Sequence, residues 1–373
     1  MSDFDFLLKL TGGGYLGLTK TNERNTQGIE ILDVPNKISV AGIKELENQM
    51  IKNLVVTQSD ETAVQIKKIN SEKNKLKSEN DRLYRLISEL IHCKSNPQKG
   101  KQIIESFCCV ATKEVKKEFL GTISTLRLFH DQPVYVICDE ETKQFVENQV
   151  SNVIFKVDIN EDSRERINRR FFKQRFKDLQ TFHKTECIFK KMDAISFAMN
   201  NHKNTMFIDS DLVFLDEIEI NTDKEIVLSP HYSPAYRIMQ VYLNGFFNAG
   251  FLFCANKSFP KFWRRKYLTD SRFFEQQGMD YISEEYSIDF FDREYNIGWW
   301  QHEAKWFEET KLEIDLDGLR VRCFHLHLDP EYSFGGNEVV RSKNEELKEL
   351  LLDYCIENEK HEVIEILKKI NLI

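Results

Sequence analysis

No Cys-x-x-Cys pair occurs in the 373 residues, although the chain holds eight cysteines: Cys93, Cys108, Cys109, Cys138, Cys187, Cys254, Cys323 and Cys355. Several lie inside apolar runs such as Phe107-Cys108-Cys109-Val110. A chain of this length does not need disulfide staples, so they read as reduced core thiols. A surplus of positive charge is also missing. Lys and Arg number 52 against 60 Asp and Glu, a net charge of −8, so the overall balance points neither to nucleic acid nor to an anionic membrane. The start, Met1-Ser2-Asp3-Phe4-Asp5-Phe6, lacks a basic segment and a signal-peptide core. The longest nearly apolar stretch, residues 245–255, is too short to span a bilayer and carries Asn248. The expected compartment is the cytoplasm. What is present, 41% hydrophobic and 30% charged residues, is the balance of a soluble globular chain with a sizeable core.

Residues 1–40 hold the glycine-rich run Thr11-Gly12-Gly13-Gly14-Tyr15-Leu16-Gly17. No Lys-Ser/Thr follows at phosphate-loop spacing and no strand–helix frame surrounds it, so it reads as a flexible or tethering segment. In residues 41–94 the pattern changes. Ile69, Leu76, Leu83 and Leu90 recur every seventh residue, with Ile66, Lys73, Asn80 and Ile87 between them. That alternation reads as a coiled coil over residues 55–90 that would make a homo-oligomer, or else as a single amphipathic helix lying on the rest of the chain. Ser95-Asn96-Pro97-Gln98-Lys99-Gly100 ends it and marks a domain boundary.

Beyond the break, strand and helix patterns alternate. Strands are expected at residues 107–111, 133–138, 153–157 and 205–209. Helices are expected through Val115, Phe119, Ile123 and Leu126, over residues 142–150, and through Ile188, Met192, Ile195 and Met199. Such repetition implies an α/β fold with a mainly parallel sheet and helices on both faces. Ligands in such sheets bind beyond the carboxyl ends of the strands. There the strand Met206-Phe207-Ile208 runs into Asp209-Ser210-Asp211. Two carboxylates one residue apart at a strand end can converge on one hard divalent cation, Mn²⁺ or Mg²⁺, which shares its shell readily with phosphate oxygens. The alternative is a pair of solvated aspartates.

Residues 184–217, containing Lys-Thr-Glu-Cys-Ile-Phe-Lys-Lys and Thr-Met-Phe-Ile-Asp-Ser-Asp-Leu-Val-Phe, resemble the central segment of GT-A glycosyltransferases, above all glycosyltransferase family 8. Phe247-Asn248-Ala249-Gly250 resembles that family's FNAG strand, and Glu275-Gln276-Gln277-Gly278-Met279-Asp280 its DQDxLN segment, with three departures. The resemblance covers residues 105–330. It implies a GT-A, Rossmann-like catalytic domain over residues 101–335, followed by C-terminal helices over residues 336–373. The implied activity moves a sugar from a nucleotide-diphosphate donor, a UDP-sugar first, to a glycan or protein acceptor. The third metal ligand is implied to be a late histidine, and Cys323-Phe324-His325-Leu326-His327 offers two on one face of an extended chain. The family's KPW sequence is absent, since Leu328-Asp329-Pro330 stands in its place.

Other roles follow from the same resemblance. Ala111, Thr112 and Asp139 would meet the nucleoside, and Ser210 lies between the metal aspartates. In place of the family's missing lysine loop, one of Lys184, Lys190 and Lys191 on the preceding helix could bind the diphosphate, Lys184 and Lys191 being seven apart and so on one face. Asn248, Gln276 and Asp280 would serve the reaction, which retains configuration in family 8. An inverting enzyme would instead need a carboxylate base, for which Asp280, Glu284 and Glu285 are candidates. Arg164, Arg166, Arg169, Arg170, Lys173, Arg175 and Lys177 form a basic stretch that is either a solvated helix or a lid over phosphates. Trp299, Trp300 and Trp306 are candidates for a sugar platform or for packing. Rival readings are a sugar-1-phosphate nucleotidylyltransferase, disfavoured by Ala111-Thr112-Lys113-Glu114 where a glycine-rich loop belongs, and a coiled-coil interaction protein with an inactive domain.

Overall fold

The computed structural model describes residues 100–159, 185–232, 245–269, 275–301, 312–329, 332 and 338–373, the strand backbones 18–20 and 29–31, and helical positions 70, 71 and 74. The glycine-rich run, the basic stretch 164–177, Lys184 and Trp306 lie outside them, as does the heptad segment apart from those three helical positions. The chain divides into two compact units. In the first, made mostly of residues 1–96, β1 (Leu18–Lys20) pairs antiparallel with β2 (Ile29–Ile31).

The second unit begins with β3 (Ser106–Ala111), α1 (Lys116–Leu126), β4 (Val134–Cys138), α2 (Glu140–Val146) and β5 (Val153–Val157). It continues with α3 (Thr185–Met199), β6 (Thr205–Ile208), β7 (Leu212–Phe214), β8 (Ile226–Pro230) and β9 (Phe247–Cys254). After α4 (Phe259–Thr269) and a 3₁₀ segment (Glu275–Glu284) come β10 (Ile288–Phe290), β11 (Ile297–Gly298) and β12 (Cys323–His325). Helices α5 (Glu338–Glu357) and α6 (His361–Lys369) close the chain. Seven strands form one sheet in the order β10-β8-β9-β6-β3-β4-β5. Every pair is parallel except those made by β9, which runs against β6 and β8. A second sheet holds β11, β12 and β7.

The mainly parallel α/β sheet expected from the sequence is the observed one. Its central strands are apolar on both sides because both faces are covered. Phe107, Cys109, Val134 and Val136 share a core with Phe119, Leu120 and Ile123 of α1. On the opposite face Tyr135 packs edge-on against Phe197 of α3, with ring centres 5.0 Å apart. Leu347, Leu351 and Leu367 of the last two helices join Val213, Phe324 and Leu326 in a second core beneath the small sheet. Six described cysteines are buried free thiols, as the sequence implied.

Candidate metal centre

Strand β6 is buried along its whole length and lies parallel beside β3, so its carboxyl end emerges next to the turn after Ala111. Asp209 follows directly, and its N–H donates to the Gly250 carbonyl of β9 at 2.8 Å. The turn through Ser210 is held by a hydroxyl of α1. Thr122 Oγ1 donates to the Ser210 carbonyl at 2.9 Å and accepts the Leu212 N–H at 3.1 Å. One buried side chain therefore fastens the backbone on both sides of Asp211. Thr125, one turn further along α1, accepts the Phe214 N–H at 3.2 Å.

Strand β12 pairs antiparallel with β7, setting His325 opposite Leu212. His325 Nε2 lies 3.2 Å from Asp211 Oδ1 and 3.9 Å from Asp209 Oδ2. One donor atom from each of Asp209, Asp211 and His325 falls within 4.8 Å of the others. Around a six-coordinate ion with ligands at about 2.1 Å, neighbouring ligands sit roughly 3.0 Å apart and opposite ones roughly 4.2 Å. Two carboxylates and an imidazole at these separations fit a hard or borderline divalent cation. The other imidazole nitrogen, Nδ1, is 3.2 Å from the buried Asn296 side-chain oxygen, whose amide nitrogen donates to Ser229 Oγ at 3.0 Å. Were Nδ1–H to donate to Asn296, Nε2 would be left to take a cation held beside the aspartates, the arrangement that metal-binding histidines need.

His327, the second sequence candidate, stands on the far side of Asp211, with Nε2 3.5 Å from Asp211 Oδ2. Its Nδ1 lies 3.1 Å from Glu118 Oε2, and its ring stacks on Tyr332 at 3.5 Å. Burial alone would push the Asp211 carboxyl up, but His325 and His327 outweigh it and hold it well below the usual carboxylate range. Burial pulls the His327 imidazole down, and the carboxylates of Asp211 and Glu118 reverse that and raise it. Glu118, buried on α1, is raised by desolvation and partly relieved by His327.

Gly250 explains why β9 approaches so closely. A Cβ there would sit 2.3 Å from Asp209 Oδ2 and 2.6 Å from His325 Cε1. Asn248 accepts the Gly250 N–H at 2.9 Å through its side-chain oxygen, stiffening the same bend. Lys191 reaches in from α3. Its Nζ is 3.0 Å from each Asp209 oxygen and 3.4 Å from Glu275 Oε1. Burial disfavours the ammonium, and Asp209 with Glu275 reverses this, so Lys191 stays charged. Lys190, beside it, turns to Asp158 at 2.9 Å.

The remaining sequence candidates are spread more widely. Ala111 ends β3, and Thr112 precedes the short 3₁₀ turn Lys113–Val115. Asp139 caps α2 by accepting the Thr142 N–H at 2.8 Å, and accepts the Lys113 N–H at 2.7 Å, so it ties the first strand–helix turn to the second. Gln276 is half-buried. Asp280 points inward, and its carboxylate accepts the Phe246 N–H at 2.8 Å. Glu284 and Glu285 pair with Lys266 at 3.1 Å and Arg265 at 2.6 Å. Trp300 stands edge-on to His325, with ring centres 5.1 Å apart. The sequence reading missed Glu118, Thr122, Asn296 and Glu275 as parts of this cluster. Glu118, Thr122 and Thr125 do form a buried polar stripe on α1, spaced four and three residues.

No family model and no curated protein matches the chain. Solved structures do resemble it. A galactosyltransferase, LgtC, with donor and acceptor sugar analogues aligns at 12% identity and a TM-score of 0.42, over 65% of this chain and 94% of that one. The glycosyltransferase GlyE of Streptococcus pneumoniae aligns at 12% identity and 0.37, over 59% of this chain and 54% of that one. Mouse xyloside xylosyltransferase 1 aligns at 11% identity and 0.35, over 60% and 98%. The roles proposed below rest on this chain's own side chains.

Proposed function

We propose that this protein is a GT-A-type glycosyltransferase that moves a sugar from a nucleotide-diphosphate donor, a UDP-sugar first, to a hydroxyl of a glycan or protein, with retention of configuration. Mn²⁺ or Mg²⁺ would be held by Asp209, Asp211 and His325. The observation that carries this reading is their convergence within 4.8 Å at the carboxyl end of a parallel strand, where ligands of such sheets bind.

A bound cation supplies Lewis-acid neutralisation of charge on the departing diphosphate. The protein's own groups do the rest. Lys191, charged and inside the site, offers a second cation to a phosphate oxygen. Thr112 and Ala111, at the adjacent strand end, line the path of the nucleoside, in a turn that Asp139 holds closed. Asn248 shapes the strand over which the donor sugar would lie, and Gln276 presents a neutral polar group to it. Retention is supported by the partners of the carboxylates that an inverting mechanism would draw on, because Asp280, Glu284 and Glu285 are each engaged with protein groups. Asp280 then acts by fixing the approach of Phe246 to the 3₁₀ segment.

A screen of UDP- and GDP-sugars for Mn²⁺-dependent hydrolysis tests the reading. At least one UDP-sugar should be hydrolysed, and Asp211→Asn should abolish hydrolysis while leaving the near-ultraviolet circular dichroism unchanged. Hydrolysis that persists in the folded variant would remove Asp211 from the metal site.

A further inference from the structure

Asp211 lies between two imidazoles, and each is held from behind by a buried side chain. Behind His325 is Asn296, and behind His327 is Glu118. The two environments differ in kind. His325 belongs to the three-residue group whose donor atoms converge within 4.8 Å. His327 stands outside that group, with its Nε2 3.5 Å from the second oxygen of Asp211, Oδ2, and its ring against Tyr332.

The Glu118 carboxylate is built into the chain that follows β12. Oε2 takes the His327 ring at 3.1 Å, while Oε1 accepts the N–H groups of Leu328 at 2.7 Å and Asp329 at 3.1 Å. From the opposite side Asn344 of α5 treats His327 as a neighbouring strand would. Its side-chain oxygen accepts the His327 N–H at 2.8 Å, and its amide nitrogen donates to the His327 carbonyl at 2.5 Å. The backbone and ring of His327 are thus fixed from two helices. Glu118 and the Asp211 clamp Thr122 are four residues apart and so share one face of α1. That face holds Asp211 at its backbone through Thr122 and at its carboxylate through His327.

We propose that Glu118 and His327 form a positioning dyad for Asp211, with His327 outside the metal's coordination shell. The dyad sets the direction of the Asp211 carboxylate and thereby the affinity for the divalent cation. Carboxylate–histidine pairs behind a metal ligand characteristically change affinity by roughly 10- to 100-fold. The inference rests on the metal reading above and assigns to this chain's own α1 and α5 a part in it.

The test is Mn²⁺ binding to the full chain, followed by electron paramagnetic resonance with and without UDP, and pulsed detection of nitrogen coupled to the bound ion. Wild-type protein should show one coupled imidazole nitrogen, lost in His325→Ala. His327→Gln should keep that nitrogen and bind Mn²⁺ roughly 10- to 100-fold more weakly. Glu118→Gln should weaken binding comparably, and the double variant should bind no worse than His327→Gln, since groups acting as a unit are not additive. His327 is partly exposed, so its variant carries the test if Glu118→Gln fails to fold. Loss of a coupled nitrogen in His327→Gln would make His327 a ligand and overturn the dyad. So would unchanged Mn²⁺ affinity in folded His327→Gln. Wild-type protein that takes up no Mn²⁺ under either condition would instead sink the metal centre itself.

Discussion

A single methyl group measures how tightly β9 is drawn over the acidic pair. Because a Cβ at position 250 would meet both Asp209 and His325, Gly250→Ala must displace one of them or the strand. We expect folded Gly250→Ala to bind Mn²⁺ at least about tenfold more weakly than wild type, in line with disturbance of a ligand's orientation; equal binding in a calorimetric titration would contradict the close approach. Gly245 is a second such position. Its φ of +103° and the Gln277 N–H 2.8 Å from a would-be Cβ admit only glycine at the foot of the same strand. Away from the site, His130 gives a residue-scale prediction about acid. Burial pushes its imidazole down to about 4, and Nε2 accepts the Ile218 N–H at 2.9 Å, so the folded protein keeps it neutral. The folded value lies below the unfolded value of 6.5, so the unfolded chain takes the proton first as pH falls. The stabilisation is complete above about pH 6.5 and lost between there and about pH 4, with about 2 kcal/mol gone at pH 5. Urea unfolding at about pH 7.5 and 5 should show wild type losing that much more than His130→Gln; equal losses would mean that His130 titrates normally when folded.

At the scale of elements, α1 and α5 supply the framework that turns β6, β7 and β12 into a site. Asn344→Leu removes both partners of the His327 backbone, leaving a buried N–H and carbonyl at a cost of about 2–4 kcal/mol. A thermal or denaturant midpoint close to wild type would show that these groups find other partners. The elements themselves were largely legible in the sequence. Buried strands announce themselves as apolar runs, α1 and α3 as stripes at helical spacing, and Asp209-Ser210-Asp211 by its place at a strand end. The direction of β9 was not legible, because an apolar strand reads the same whether it runs with its neighbours or against them. Nor was the 3₁₀ segment Glu275–Glu284, whose period is close to that of an α-helix. Within the site, Asp209, Asp211 and His325 were within reach of motif and order. Glu118 was not, because its partner His327 is 209 residues away and nothing in the local sequence marks the pairing. Asn296 was hidden in the same way, being recognisable only once β11 and β12 lie side by side.

At the scale of the whole molecule, the described residues of the candidate site all lie in the second unit, and its last two helices belong to its core. Leu367 and Leu372 are buried, and Leu372 and Ile370 close on Gly121 of α1. We propose that residues 55–90 associate as a coiled coil and that the catalytic reading is independent of them. Protein lacking residues 1–96 should then run as a monomer in light scattering and keep its Mn²⁺-dependent hydrolysis; an unchanged assembly state would remove the oligomerising role from that segment. The account stands or falls on whether a divalent cation at Asp209, Asp211 and His325 binds a nucleoside diphosphate. Calorimetric titration of UDP into wild type and Asp211→Asn, each with and without Mn²⁺, measures this directly. Wild-type protein should bind UDP at least about tenfold more tightly with Mn²⁺, and Asp211→Asn should lose that difference. UDP affinity indifferent to Mn²⁺ in wild type, or a Mn²⁺ effect that survives in Asp211→Asn, would contradict the account.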